Sequence, residues 1–127
     1  MKSVEMRTLV DQYIEAYNRM DVAAMLETLH PDVAFKNIAG GTVSASTSGL
    51  AEFKALAQQS LPLFSERQQT VLSFEANEAQ AVVAIGFRAV VANDLPNGLR
   101  QGQVLSLTGR SEFEFRDGAI FGIVDVS

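Results

Sequence analysis

Cysteine is absent from the 127 residues of this chain, and its absence removes three kinds of chemistry together: a disulfide framework, thiolate zinc sites and cysteine nucleophiles. Histidine is nearly absent too. With His30 alone and acids scattered along the chain, no His/Asp/Glu cluster stands at ligand spacing, so no zinc or iron site is expected. There is no run of Lys or Arg, and the formal net charge is −5. The positive footprint that grips a polyphosphate backbone is missing, and nucleic acid is not an expected partner. No Gly-rich loop follows a strand and opens a helix in the phosphate-binding manner, so no nucleotide cofactor is expected either. Long apolar stretches are lacking as well: Lys2, Glu5, Arg7, Asp11 and Glu15 interrupt the N-terminal segment. That leaves no signal-peptide core and no membrane span, and the expected location is the cytoplasm.

What remains is ordinary globular material. Hydrophobic residues make up 47% and charged residues 20%, and the length suits one domain, residues 1–127, with a real core. Met6, Leu9, Val10, Tyr13, Ile14, Tyr17 and Met20 recur at three- and four-residue steps, which predicts an amphipathic first helix. Asp21 suits the N-cap of a shorter second helix ended by His30-Pro31. "DVAFKNI" (32–38) alternates like a short strand, with Val33, Phe35 and Asn37 on one side. "AGGTVSASTSG" (39–49) reads as a loop, and "LAEFKALAQQSL" as a third helix stopped near Pro62. Beyond Gln68, apolar residues come at two-residue steps, predicting strands over roughly 68–76, 80–93, 102–116 and 119–126. The Asp117-Gly118 pair suits a tight hairpin. Helices first and an antiparallel meander afterwards make an α+β domain, in which a long, strongly curved sheet packs its apolar face on the helices. A cone of this kind leaves room for a ligand.

"VDQYIEAYNRMDVAAMLETLHPDVAFKN" resembles the opening of the nuclear transport factor 2-like superfamily, and "SEFEFRDGAIFGIVD" resembles its last hairpin. That superfamily holds ketosteroid isomerases, SnoaL-like polyketide cyclases and limonene epoxide hydrolases. The resemblance implies a cone-shaped fold with three N-terminal helices on a curved, mainly antiparallel sheet, and relatives that pair as dimers through the outer sheet face. Set against the isomerases, Tyr13 falls at the oxyanion-hole tyrosine. The shuttling aspartate is replaced by Asn37 and the second oxyanion donor by Ser111. Set against the epoxide hydrolases, Arg88 matches the arginine, Asp125 the last-strand aspartate and Asn37 the asparagine, whereas Val90 replaces the first aspartate and Phe35 the tyrosine. An asparagine cannot shuttle a proton, so the isomerase route is not expected.

Asp125 shares a face with Phe121 and Ile123 on a regular last strand, where a carboxylate is costly unless paired. It reads as a pocket group or as a solvated acid near a fraying end. Arg88 sits in the apolar run "AVVAIGFRAVVA" and is the expected partner of Asp125, as a structural ion pair or as a ligand-orienting group. Asn37 reads as a holder of water or carbonyl, or as a strand-end residue. Tyr13 and Tyr17 stand one helical turn apart, with core packing the simpler account of each. His30 reads as a partner of helix-end carbonyls. Tyr17, Phe35, Val90, Ser111, Phe113 and Ile123 complete the expected pocket. Ser111 has no histidine near it in sequence, which argues against a serine nucleophile. Arg110, Glu112, Glu114 and Arg116 form a charged outer face, either solvated or a homodimer surface.

Two functional readings follow. One is a cofactor-independent enzyme acting by acid–base chemistry on a small apolar or weakly anionic metabolite, with Asp125 as base or acid, Arg88 as orienter, and Asn37 and Tyr13 as hydrogen-bonding groups. The other is a non-catalytic ligand-binding or association module of the same fold. A partner docking on the outer sheet face is a further possibility.

Overall fold

The computed structural model describes residues 1–127. Helix α1 (Ser3–Asn18) begins where the Glu5 carboxylate reaches back to accept from the Lys2 backbone N–H at 3.1 Å, and Arg7 and Asp11 pair across one turn at 3.0 Å. It ends in a Schellman arrangement. Met20 takes a left-handed φ of 59°, its N–H donates to the Tyr17 carbonyl, and the Asp21 N–H donates to the Ala16 carbonyl. Asp21 then caps α2 (Val22–Glu27) by accepting from the Ala24 N–H at 3.0 Å.

Strand β1 (Leu29–Ala39) starts before His30-Pro31, so that pair lies in a strand and not at a helix end. His30 is accordingly no helix cap. Its Nδ1 accepts from the Asp32 N–H at 3.0 Å, its Nε2 lies 3.3 Å from the Asp117 carboxylate, and its ring meets Phe121 edge-on. The expected loop at 39–49 is instead a two-residue turn followed by strand β2 (Thr42–Ser48), antiparallel to β1. Gly40 and Gly41 both have positive φ, as a tight hairpin turn requires. The Ser/Thr-rich segment hides this strand because it lies at the sheet edge and presents no apolar face.

Helix α3 (Gly49–Ser60) leads through one 3₁₀ turn at Leu61–Leu63 into β3 (Phe64–Ala76), which starts earlier than the alternation predicts. Strands β4 (Gln80–Val91), β5 (Val104–Arg116) and β6 (Ala119–Val126) follow, with Asp117 and Gly118 turning the last hairpin at positive φ. The six strands run β2-β1-β6-β5-β4-β3, all neighbours antiparallel except β1 and β6.

The core lies between the helices and the concave face of this sheet. Met6, Val10 and Ile14 of α1, Met25 of α2 and Phe53 of α3 meet Val83, Phe113, Ile120 and Ile123 of the strands, all buried. Burying side chains of this size stabilises the fold by roughly 1.5–3 kcal/mol each. The packing leaves an opening beside Tyr17, near the C-terminal end of α1.

Candidate functional site

Register decides which side chains meet at this opening. Asn37 of β1 stands opposite Asp125 of β6, and Asp125 opposite Ser111 of β5. The three therefore form one polar row across the concave face. The next row down, Phe35, Ile123 and Phe113, is apolar and packs into the core, Phe35 against Phe53 and Phe113 against Tyr13. Above the polar row lies a cavity of about 320 Å³. Asp125, Ser111 and Asn37 border it at one end, Tyr17 and Gln69 contribute polar groups, Ile85, Phe87, Leu107 and Phe64 supply apolar walls, and Arg110, paired with Glu112, reaches its edge.

Asp125 is the only acidic side chain on the cavity wall. The buried Ser111 hydroxyl donates to its Oδ1 at 2.6 Å, and its other oxygen receives no hydrogen bond from the protein. Desolvation pushes its pKa up from 3.8 to about 6, with the Ser111 hydrogen bond pulling the other way. Asn37 is held by Ser44 of β2, its Nδ2 donating to the Ser44 Oγ at 2.7 Å. The strand missed in the sequence thus orients a site residue.

Gly109 of β5 explains how the opening is shaped. A Cβ there would lie 2.5 Å from the Val126 carbonyl oxygen, so only glycine lets the end of β6 lean across β5. From there Ser127 bonds to Ile38 and Gly40, and Val126 and Ser127 join the cavity rim.

Arg88 and Val90 are not part of this site. They fall at even positions of β4, opposite Gln68 and Glu66 of β3, whereas Val83, Ile85, Phe87 and Ala89 carry the inward face. Arg88 is exposed and makes no ion pair with Asp125. An apolar run on both faces of β4 conceals this parity in the sequence. The arginine that does turn inward is Arg67 of β3, only 5% exposed. Its Nε donates to the Tyr17 carbonyl at 2.9 Å and its guanidinium lies 3.8 Å from the centre of the Tyr17 ring. Starting β3 at Gln68 leaves Arg67 outside the strand; the spacing of Arg67, Gln69 and Val71 is the signal that could have found it.

Tyr13 is buried against Phe53 and Phe113, beneath the cavity and not on its border. Burial pushes its phenol well above the usual value, Asp125 and Tyr17 add to this, and Arg67 opposes it. Burial also raises the Tyr17 phenol, while Arg67 draws it back and Asp125 pushes it up. No three His, Asp or Glu side chains stand close enough together to hold a metal ion. No helix is long and apolar enough to cross a membrane.

Three helices on a curved mixed sheet with a polar row above an apolar floor define a small α+β pocket domain of the nuclear transport factor 2-like superfamily. The chain belongs to the SnoaL-like domain family, whose model matches residues 10–123. Among solved structures it is similar to a "putative polyketide cyclase" from Xanthomonas campestris pv. campestris, with 28% identity, a TM-score of 0.82, and 97% of this chain and 90% of that one covered. It also resembles TsrD from Streptomyces laurentii, with 18% identity, a TM-score of 0.81 and coverage of 98% and 89%. An LEH-like epoxide hydrolase from M. tuberculosis shares the fold at 15% identity, with a TM-score of 0.77 and coverage of 97% and 82%. No curated protein sequence matches the chain.

Proposed function

We propose that this protein is a cofactor-independent acid–base enzyme acting on a small, largely apolar metabolite, with Asp125 moving the proton. The observation that carries the reading is Asp125 itself: a lone acidic side chain at the wall of an apolar cavity, anchored through one oxygen by Ser111, with the other oxygen unclaimed. A carboxyl group raised to about 6 is ionised at neutral pH yet basic enough to take a proton from a weakly acidic C–H or a water. Asn37, fixed by Ser44, offers an amide beside it for a water or carbonyl oxygen. Tyr17 borders the cavity and offers a phenol for the substrate oxygen, a position Tyr13 does not share. The similarity to a "putative polyketide cyclase" and to an epoxide hydrolase supports chemistry of this general style.

The test is turnover of a panel of cyclisable polyketone, enone and epoxide substrates by the native protein and by Asp125→Asn. Loss of about 10²–10⁴-fold in rate in the variant, with its fold intact, is the expected result. Equal rates in both proteins would rule Asp125 out as the base.

One observation favours a non-catalytic binder. No second acidic side chain borders the cavity, so Asp125 has no Asp or Glu partner for push–pull chemistry. A binder would show ligand affinity in both proteins and turnover in neither.

The outer sheet face is proposed as a homodimer surface. Leu72, Val82 and Val104 are exposed there beside the charged row of Arg110, Glu112 and Glu114, and apolar side chains rimmed by charge suit an interface.

A further inference from the structure

The cavity has two chemically different ends. Asp125, Ser111 and Asn37 occupy one. The other, at Tyr17 and Gln69, is the more unusual, because a buried cation stands behind it. Arg67 is 5% exposed and no carboxylate lies within ion-pair distance of it. Its Nε is satisfied by the Tyr17 carbonyl, at the C-terminal end of α1 where the helix dipole is negative. That partial charge accounts for the tolerance of a guanidinium here, but it does not complete it: Nη2 is buried without a partner. A desolvated guanidinium lacking a full counter-charge projects its positive potential through the Tyr17 ring it stacks upon, and low dielectric strengthens that potential.

Gln69 adds directional bonding. Its backbone N–H and carbonyl are both engaged by Asn18, at 2.7 and 3.0 Å, which fixes the strand against the end of α1. Its side-chain amide borders the cavity and makes no hydrogen bond within the protein. A free amide and a phenol on one wall, with a cation behind them and apolar surface between them and Asp125, are complementary to an oxygen that carries negative charge.

We propose that the Tyr17–Gln69 end of the cavity is an oxyanion subsite, in which these two side chains hydrogen-bond a substrate oxygen and Arg67 selects a charged one, of carboxylate, enolate or phenolate type, over a neutral one. The inference rests on the reading of the cavity as the ligand site, and it extends that reading by naming the ligand's second functional group. Arg67 acts here as a positioning and selecting residue, through Tyr17 and through its field.

The test compares 2-naphthoate with 2-naphthamide, matched in shape and different in charge, by titration calorimetry on the full chain. The native protein is expected to bind the carboxylate about tenfold more tightly than the amide, and Arg67→Gln to bring the two affinities together. Equal affinities in the native protein, or a preference that survives in folded Arg67→Gln, would overturn the proposal. Should Arg67→Gln not fold, Gln69→Leu decides: a loss of about fivefold or more in naphthoate affinity supports the subsite, and unchanged affinity contradicts it. Arg67 does not border the cavity directly, and with Arg88 and Glu66 it lines a separate open cleft. A preference abolished by Arg88→Gln would place the anion in that cleft and refute the cavity subsite, whereas an unchanged preference supports it. Asp125→Asn separates the two readings. A carboxylate preference retained in that variant supports the subsite whether or not Asp125 proves catalytic, and a preference lost in it counts against the subsite.

Discussion

Asp125 combines two demands that oppose each other, exposure to a substrate and removal from water. Its raised pKa makes the opposition measurable as stability. Because the folded-state value of about 6 lies above the ordinary 3.8, the native chain binds the proton more tightly than the unfolded chain does. Ionised Asp125 therefore costs the fold nothing below about pH 4 and its full penalty above about pH 6. Asp125→Asn, which removes the charge and keeps an acceptor for Ser111, is expected to be more stable than the native protein at pH 7.5 by about 1–2 kcal/mol after allowance for partial solvation. The advantage should shrink toward zero near pH 4, as read by urea denaturation at both pH values. Ser111→Ala should act in the opposite sense on the acid itself. Losing a donor that favours the ionised form raises the Asp125 pKa further, so the acidic limb of any pH–rate profile is expected to move to higher pH.

Among the elements, β5 and β6 decide whether the cavity exists. Gly109→Ala would drive a methyl group against the Val126 carbonyl and force the end of β6 away from the rim. A loss of about 1–3 kcal/mol is expected in thermal or denaturant unfolding, together with weaker ligand binding. A silent substitution would mean that the strand end moves freely and does not shape the opening. Strand β2 contributes differently, because its Ser44 orients Asn37 although none of its side chains reaches the core. That role could not be read from "TVSASTS", where no apolar alternation marks a buried face. The strongly patterned elements were legible for the opposite reason. In α1 the helical spacing of Met6, Val10, Tyr13 and Ile14 is the buried stripe itself, and Asp117-Gly118 has little choice but a tight turn. Strand β4 shows the limit. Apolar residues on both of its faces erase the parity signal, so Arg88 and Val90 are drawn into the expected pocket although their backbone positions point outward. Only the pairing with β3 and β5 resolves this, and pairing is a long-range property.

The whole molecule is a cone of three helices on an open six-stranded sheet, with its packed core beneath the polar row. The family resemblance made this architecture legible, and with it the addresses of Asp125, Ser111 and Asn37. It did not reveal Arg67 or Gln69, which depend on where β3 begins and on how it docks against the end of α1. Dimerisation is expected at this scale. Sedimentation velocity should show a dimer for the native chain and a monomer for a Leu72→Lys, Val82→Lys double variant, since two lysines on an apolar interface are costly to bury. A monomeric native chain would leave the outer face without that role.

The central claim, that the fold holds one carboxyl group at the edge of water and of neutrality, can be tested without a substrate. The carboxyl carbon of Asp125, followed by ¹³C NMR from pH 3 to 8 and assigned by its absence in Asp125→Asn, is expected to titrate with a midpoint near 6. A midpoint at or below 4 would show a solvated acid, and the proposed base would have no chemical foundation.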